Sequence, residues 1–564
     1  MHVSCSIRPA ALLGVVTLAA SCAGPAAPPT PAAPFSVVEA SIPEMQAAMR
    51  DGRTTSRALV TEYLTRIGLY EDRLNVAVSV NPRALVEADV LDRERAAGTL
   101  RGPLHGIPVA LKDNIMTTDD MPTTGGMLAF RHFRAPYEAT LVTNLRKAGA
   151  IIIAKSTMSE LAGWFGDAVR PGGYNAASGQ SYNPYDPHAN DDGTPVLEVS
   201  GSSSGGGVAA NLWAANVGTS TGGSIEGPSN ASMLVGIRPS TGRISRHGIV
   251  PLSLDQDTAG PMTKTVTDAA LMLGVMEGLP DSRDPRTTEC TAPAGNDYTP
   301  FLKADALKGA RIGVPRAGLY TAREFPGRAR PFPGLTPDEL ASMEAAIAAL
   351  KAAGAAIVDP ADLPSMIAPD AASNLTSHPI CEAPFSGNAS DDLCSQVLRY
   401  TMKRDFNLWL SSLGPTAPVK TFSELRAWNV ANRARGSMRY GQGRLDFADS
   451  ADLVKDQARY TRDRKADLLL TREQGLDAVI ATHKLDAILF PGSSGATYAS
   501  KAGYPIVVVP FGMVINYSEG ARGSQEPTRP FGISLVGGHC DDPKVVGLAY
   551  AFEQATRKRV PPKM

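Results

Sequence analysis

The sequence predicts an α/β fold: a single large domain with a mixed, mostly parallel β-sheet core sandwiched by α-helices. Two segments carry the pattern that predicts it, a helical stretch followed by a glycine and then by an apolar run. In residues 141–153 Gly149 separates the helix from the strand, and in residues 336–358 Gly354 does so. This order is the second half of a βαβ crossover, and strands this uniformly apolar are buried on both faces.

Capping sequences mark the starts of several helices. Residues 41–44, Ser-Ile-Pro-Glu, form a capping box with proline at the helix start, and they predict a helix through Met49. A second helix is predicted from residues 55–56, because apolar residues follow at helical spacing up to Ile67. Thr336 begins the helix of the second crossover with a box of the same kind, Thr-Pro-Asp-Glu.

Composition excludes several classes of protein. The 564 residues are 43% hydrophobic and 20% charged, with 55 basic and 56 acidic residues and a net charge of −1. A nucleic-acid partner would need a basic surplus on at least one face, so none is expected. No Cys-x-x-Cys or His-x-x-x-His spacing indicates a metal site. No linker of biased composition divides residues 36–564, which are predicted to form one domain.

The N-terminus has the pattern of an export signal. Arg8 precedes an apolar stretch at residues 10–20, and small residues then lead to Cys22, which predicts a signal peptide at 1–22. A cysteine in this place is typical of the bacterial lipobox. We therefore expect a lipid anchor at Cys22 and a periplasmic, cell-envelope or secreted protein. Residues 23–35 are rich in proline and alanine and are predicted to form a tether.

Four cysteines follow the signal, and an even number suits an oxidising compartment. They are Cys290, Cys381, Cys394 and Cys540. Cys381 and Cys394 are 13 positions apart (394 − 381) and could close a loop. The pairing is otherwise open at this point, and four buried free thiols are the alternative.

Two runs rich in glycine and serine are the most unusual part of the chain. The first is Gly-Ser-Ser-Ser-Gly-Gly-Gly at 201–207, and the second is Gly-Thr-Ser-Thr-Gly-Gly-Ser-Ile at 218–225. A helix of small residues is predicted between them, at 208–216. Glycine costs backbone entropy and fills no core volume, so such runs indicate backbone that approaches a ligand. The turn before Ser224 would aim N–H groups at one oxygen and form an oxyanion hole.

Three other interpretations of these runs stay open. A flexible linker has this composition, although apolar segments enclose the runs. A phosphate-binding loop would need Gly-Lys-Ser/Thr, which is missing. The sharpest alternative is an α/β-hydrolase-type serine esterase centred on Ser203, which would follow a strand at 196–199. Such an enzyme would also need an acid and a histidine, and the candidates are His378, His483 and His539.

A strand upstream of these runs ends in a lysine. Alternating apolar residues from Leu104 lead to Val-Ala-Leu at 109–111 and then to Lys112. Most lone lysines are solvated surface residues, whereas the apolar run before this one indicates partial burial. Burial disfavours the ammonium form, so a buried Lys112 can act as a base.

Together these motifs resemble the amidase signature family, and most closely its bacterial peptide amidases and general amidases. The resemblance covers nearly all of the chain after the tether. It rests on the two glycine-rich runs and on segments distributed along the sequence, at 105–108, 112–114, 236–242, 246–251, 257–262, 502–505 and 530–533. It implies one domain with a mixed sheet between helices, no metal and no cofactor. It also implies a carboxylic amide as substrate, such as a C-terminal peptide amide or an aryl or acyl amide.

The family's Ser–cis-Ser–Lys triad can be carried over to this sequence. The resemblance implies Ser224 as nucleophile, Ser202 as the serine in a cis peptide that relays protons, and Lys112 as base. It further implies an acyl-enzyme, and an oxyanion hole formed with Ser224 by the backbone N–H groups of Thr221, Gly222 and Gly223. A cis bond before a non-proline residue costs about 3–4 kcal/mol, so a crowded junction before Ser202 is expected.

Some features depart from the family pattern. Ser202 and Ser224 are 22 positions apart (224 − 202), fewer than the pattern leads us to expect. Ser220 stands where relatives often have an acidic residue, and Glu226 stands where many have arginine. We expect both at a rim that faces the acyl group, where they would change substrate preference. Residues 189–199 look like an insertion, which either shapes the entrance to the site or forms a surface loop.

Overall fold

The computed structural model describes residues 35–167, 171–190, 193–197, 204–325, 331–381, 394–516 and 528–564. An eleven-stranded sheet lies at its centre. In chain order its strands are β1 Ala77–Val80, β2 Pro108–Lys112, β3 Ile151–Ser156, β4 Ala215–Ser220, β5 Val235–Arg238, β6 Thr258–Thr263, β7 Arg311–Gly313, β8 Ala356–Val358, β9 Ala487–Pro491, β10 Ile506–Ile515 and β11 Thr528–Val536. In space they follow the order β1-β3-β2-β4-β6-β5-β10-β11-β9-β7-β8.

Sixteen α-helices accompany the sheet within the described residues. They are α1 Ile42–Arg50, α2 Ser56–Leu74, α3 Ala84–Ala96, α4 Thr140–Lys147, α5 Ser204–Ala209, α6 Glu226–Ala231, α7 Val266–Glu277, α8 Pro337–Ala352, α9 Pro364–Ile367, α10 Val397–Ser412, α11 Phe422–Ala431, α12 Gly443–Asp449, α13 Gln457–Leu468, α14 Asp477–His483, α15 Ala496–Ala502 and α16 Asp542–Thr556. A π-helical segment, Leu469–Leu476, joins α13 to α14.

The sheet is mixed. β2 runs parallel to both β3 and β4, and β7 runs parallel to both β8 and β9. The six other neighbouring pairs in this sheet are antiparallel. The predicted crossovers build two of the parallel pairs, β2–α4–β3 and β7–α8–β8. The predicted α/β class, with a mixed sheet between helices, is confirmed.

Local sequence explains where several elements begin and end. The side chains of Ser41 and Thr336 accept hydrogen bonds from the N–H three residues on, and both predicted capping boxes are present. Gly149 follows α4 with a φ of +86°, and a Cβ there would lie 2.6 Å from the Cα of His105. Only glycine fits this position, so the chain turns there into β3.

The predicted helix at 208–216 is wrong. The helix in this region, α5, begins earlier and ends at Ala209, and strand β4 follows it. Asn211 has a φ of +56°, in the left-handed region. Its side-chain amide donates to Glu39 and accepts from Lys264, each over 2.9 Å. These contacts with distant parts of the chain hold Asn211 out of a helical conformation.

Two disulfides link the four cysteines of the body of the chain. Cys290 pairs with Cys540 and Cys381 with Cys394, with Cα separations of 5.5 and 5.0 Å. The loop closure expected for Cys381 and Cys394 is confirmed, and the alternative of four free thiols is wrong.

The predicted signal peptide and Cys22 lie outside the described residues. No helix of the described part is both long and apolar enough to cross a membrane.

Candidate active site

Lys112 is the last residue of β2, and its side chain is fully buried. Its Nζ donates a hydrogen bond to the backbone oxygen of Thr219, 3.0 Å away on the neighbouring parallel strand β4. Burial lowers the pKa of the Lys112 ammonium to about 7, against the opposing charges of Asp257 and Glu226. The amine therefore changes between its charged and neutral forms near neutral pH, as a general base requires.

Ser224 lies in the loop that joins β4 to α6. Because β2 and β4 are parallel neighbours, their carboxyl ends meet at one edge of the sheet, the edge at which Lys112 lies. Ser224 is partly exposed and Gly222 is exposed, and a Cβ on Gly222 would meet no atom within 4 Å. Gly223 has a φ of +132°, which favours glycine. The loop thus presents accessible backbone beside Ser224.

Polar contacts fix the conformation of this loop. Ser220 Oγ accepts hydrogen bonds from the backbone N–H groups of Gly223 and Ser224, at 3.0 and 3.1 Å. Thr221 Oγ1 donates a hydrogen bond to Asp257. Burial raises the pKa of the Asp257 carboxyl to about 6. Since Ser220 holds two of the N–H groups, the oxyanion role expected of residues 221–223 stays a prediction.

Ser220 and Glu226 form a hydrogen-bonded pair inside the protein. Ser220 Oγ donates to Glu226 Oε2 over 2.8 Å, and both side chains are buried. Arg238 Nε lies 3.8 Å from Oε1 of the same carboxylate. Burial raises the pKa of Glu226, and the charge of Arg238 opposes that shift. Ser220 and Glu226, expected at a rim that faces the acyl group, are buried and bonded to each other.

Ser202 and Ser203 lie outside the described residues, so the roles expected of them stay predictions. The described chain resumes where α5 begins. A Cβ on Gly205 would lie only 3.0 Å from the backbone oxygen of Pro228. The start of α5 is therefore in close contact with α6, the helix that follows Ser224.

The surroundings do not favour a serine–histidine esterase centred on Ser203. The strand expected before Ser203 begins at Val196, but Val196 and Leu197 form a bend and the rest of that segment lies outside the described residues. The three candidate histidines lie in different places. His378 is 3.7 Å from Asp467, the ring of His539 packs on Tyr504, and His483 ends α14.

A strained turn beside the site gives no signal in the sequence. Leu161 and Ala162 have φ values of +43° and +50°, in the left-handed region. Ala162 lines a small cavity together with Asn114 and Thr221. Two such residues in succession store strain of the kind found at binding sites. Leucine and alanine do not favour this conformation, so residue type does not mark the turn.

Known proteins share this architecture. The family model Amidase matches residues 58–499. The chain belongs to the amidase family. The amidase is 31% identical to a probable amidase of Arabidopsis thaliana, over 94% of this chain and 92% of that protein. It is 32% identical to a glutamyl-tRNA(Gln) amidotransferase subunit of Halorhodospira halophila, over 92% of this chain and 98% of that protein.

A solved structure has a similar fold and a similar level of sequence identity. The native peptide amidase from Stenotrophomonas maltophilia is 34% identical to this amidase, with a TM-score of 0.78, over 94% of this chain and 99% of that chain. The family and the fold predicted from the motifs are confirmed. The chain is a hydrolytic amidase, and the esterase alternative is not favoured.

Proposed function

We propose that this amidase hydrolyses a carboxylic amide to an acid and ammonia or an amine through a Ser224–Ser202–Lys112 triad. The observation that carries the proposal is Lys112, a fully buried amine at the same sheet edge as Ser224. Its pKa of about 7 leaves a large neutral fraction at physiological pH. A neutral amine can accept a proton, whereas an ordinary surface lysine is almost wholly charged there.

The first step moves two protons and forms one bond. Neutral Lys112 accepts the proton of the Ser202 hydroxyl while Ser202 accepts that of Ser224, and Ser224 Oγ bonds to the carbonyl carbon. The carbonyl oxygen gains the negative charge, which the N–H groups of Thr221 and Gly222 stabilise, since that of Gly223 donates to Ser220 Oγ. The C–N bond then breaks, and the relay returns the proton to the leaving nitrogen. Water attacks the acyl-enzyme by the same route and releases the acid.

For the substrate, the first class to test is the amide at the C-terminus of a peptide. The support is the 34% identity to a peptide amidase over nearly the whole chain. Aryl amides and fatty acyl amides complete the panel, because the same triad chemistry acts on any carboxylic amide that fits the site.

The test compares Lys112→Ala, Ser224→Ala and Ser203→Ala with the wild type on this panel, with released ammonia or amine as readout. We expect Ser203→Ala to be active, and the other two variants to lose about 10³-fold or more in kcat/KM. Full activity of Ser224→Ala would contradict the assignment. Activity that needs Ser203 and not Lys112 would favour the esterase. A wild type that turns over no amide would contradict hydrolysis.

We also propose that the protein is exported and carries a lipid anchor at Cys22. The pattern of residues 1–22 supports this, as do the two disulfides, because such bonds persist in oxidising compartments. Mass spectrometry of the N-terminal peptide, after fractionation of producing cells, is the test. We expect a lipid-modified Cys22 in the envelope fraction. An intact Met1 confined to the cytoplasmic fraction would contradict the proposal.

A further inference from the structure

The carboxylate of Glu226 is joined to the nucleophile loop through one hydroxyl. Its Oε2 accepts hydrogen bonds from Ser220 Oγ at 2.8 Å and from the N–H of Ile225 at 3.1 Å. With its proton donated to Glu226, Ser220 Oγ has only lone pairs left, and these accept from the N–H groups of Gly223 and Ser224. The carboxylate therefore dictates which way the hydroxyl points, and the hydroxyl holds the loop.

Burial raises the pKa of Glu226, while the charge of Arg238 and the hydrogen bonds from Ser220 and Ile225 favour its carboxylate form. Glu226 and Arg238 are both fully buried, and the guanidinium lies 3.8 Å from the second carboxylate oxygen. Burial lowers the pKa of Lys112, and within the described residues the charges of Asp257 and, to a smaller extent, Glu226 raise it. A buried charge is screened less than an exposed one, so each of these carboxylates has a measurable effect on the amine.

We propose that Glu226 is a positioning residue for the nucleophile and that, together with Asp257, it also acts on the charge state of the base. Through Ser220 it fixes the backbone of the loop that carries Ser224. Through its negative charge it stabilises the ammonium form of Lys112. This inference rests on the proposed function, since it concerns the same nucleophile and base. A purely structural role for Glu226 would include the first effect and not the second.

The test measures the rate at which an alkyl fluorophosphonate labels the full-length protein, across a pH range that brackets the titration of Lys112. The serine oxygen bonds to phosphorus and fluoride leaves, so the identity of the natural substrate is not needed. Peptide mapping by mass spectrometry identifies Ser224 as the labelled residue. The rate rises as Lys112 loses its proton, and the acid limb of the profile therefore reports the pKa of the base.

In Glu226→Gln we expect the acid limb to move to lower pH by about 0.5–1 unit, because the lost charge no longer stabilises the ammonium. The plateau rate should fall about tenfold as the loop loses its fixed geometry. Ser220→Ala removes the hydrogen bonds and keeps the charge, so its plateau should fall while its limb stays. Glu277→Gln is the matched control, at a buried carboxylate paired with Arg243, and it should match the wild type.

An unmoved acid limb in folded Glu226→Gln would overturn this inference alone. Thermal unfolding establishes which variants fold. If Glu226→Gln does not fold, Ser220→Ala decides, since a wild-type plateau there would show that the loop does not depend on this contact. The proposed function fails in another way: the wild type takes no label on Ser224, or Lys112→Ala labels at the wild-type rate. Either of those results would remove the inference as well.

Discussion

Two lysines lie near the ends of neighbouring strands, one register position apart, and differ in what surrounds them. Lys112 ends β2, and Lys155 lies near the end of the parallel strand β3, opposite Leu111. Both side chains are fully buried. Burial lowers the pKa of Lys112 to about 7 and that of Lys155 to about 8. Burial alone therefore does not distinguish a catalytic base from a structural lysine.

Their partners do distinguish them. Lys155 Nζ donates to the backbone oxygen of Ile115 and to a threonine hydroxyl, and its charge opposes the burial that raises the pKa of Asp113. Within the described residues, Lys112 Nζ donates to one acceptor, the backbone oxygen of Thr219. Lys155 thus holds the chain after β2 in place, while Lys112 keeps N–H groups for the proposed relay.

The largest expected difference between the two lysines is in catalysis. Lys112→Met should lower kcat/KM for amide hydrolysis by about 10³-fold or more, because the serine loses its general base. Lys155→Met should stay within about tenfold of the wild type, because its partners belong to the structural segment after β2. Steady-state assays on the folded fraction of each protein measure both values. Equal losses of activity in the two variants would contradict the distinction between a catalytic and a structural lysine.

The second difference is in stability. The pKa of Lys112 is about 7 in the folded protein, against an ordinary value of 10.5. Burying the charged amine therefore lowers the free energy of unfolding. This penalty is complete below pH 7 and absent above pH 10.5. Lys112→Met should therefore raise the free energy of unfolding by about 2–4 kcal/mol at neutral pH. Lys155→Met should raise it less, because burial lowers the pKa of Lys155 only to about 8 and Asp113 loses its buried counter-charge.

Urea denaturation of both variants checks these values. The gain in Lys112→Met should shrink as the pH rises towards 10.5, the ordinary pKa of lysine. A pH-independent gain, or an equal gain in Lys155→Met, would show that protonation of Lys112 is not the source of the penalty.

The third expectation concerns pH. The base must be neutral to accept a proton, so kcat/KM should rise with pH through a limb near 7, the pKa of Lys112, and be lost progressively below it. The residual activity of Lys112→Met should lack this limb. The same limb in that variant would assign it to another group.

The smallest expected effect is on the pH profile, and it differs between the carboxylates that act on the two lysines. Of the charges that act on Lys112, that of Asp257 raises its pKa the most. Asp257→Asn should therefore move the acid limb to lower pH by about 0.5–1 unit. Asp113→Asn should leave the limb in place, because its charge acts on Lys155. The pH profiles of kcat/KM compare the two directly. Equal shifts would mean that the two lysines share one electrostatic environment.

Features that depend on adjacent residues were predictable from the sequence. The capping boxes at Ser41 and Thr336 and the buried strand before Lys112 follow from residues within one turn or one strand. The helix expected at 208–216 fails because Asn211 is held by residues far along the chain. Local pattern contains no information about such contacts.

In the candidate site, too, features set by adjacent residues were predictable and features set by distant contacts were not. An apolar run that ends in a lysine occurs twice, before Lys112 and before Lys155, so this pattern indicates burial and not catalysis. The inward position of Glu226 depends on Ser220 and on Arg238 of β5, and spacing along the chain does not reveal this cluster. The motifs therefore locate the nucleophile loop, and its charge environment needs the fold.

The most direct measurement is the position of the acyl group in the acyl-enzyme. The amidase is mixed with an activated ester of a substrate acid and quenched in acid, and its peptides are mapped by mass spectrometry. We expect the acyl group on Ser224 in the wild type and far less of it in Lys112→Met. An acyl group on Ser203, or equal acylation of Ser224 without Lys112, would contradict the assignment of nucleophile and base.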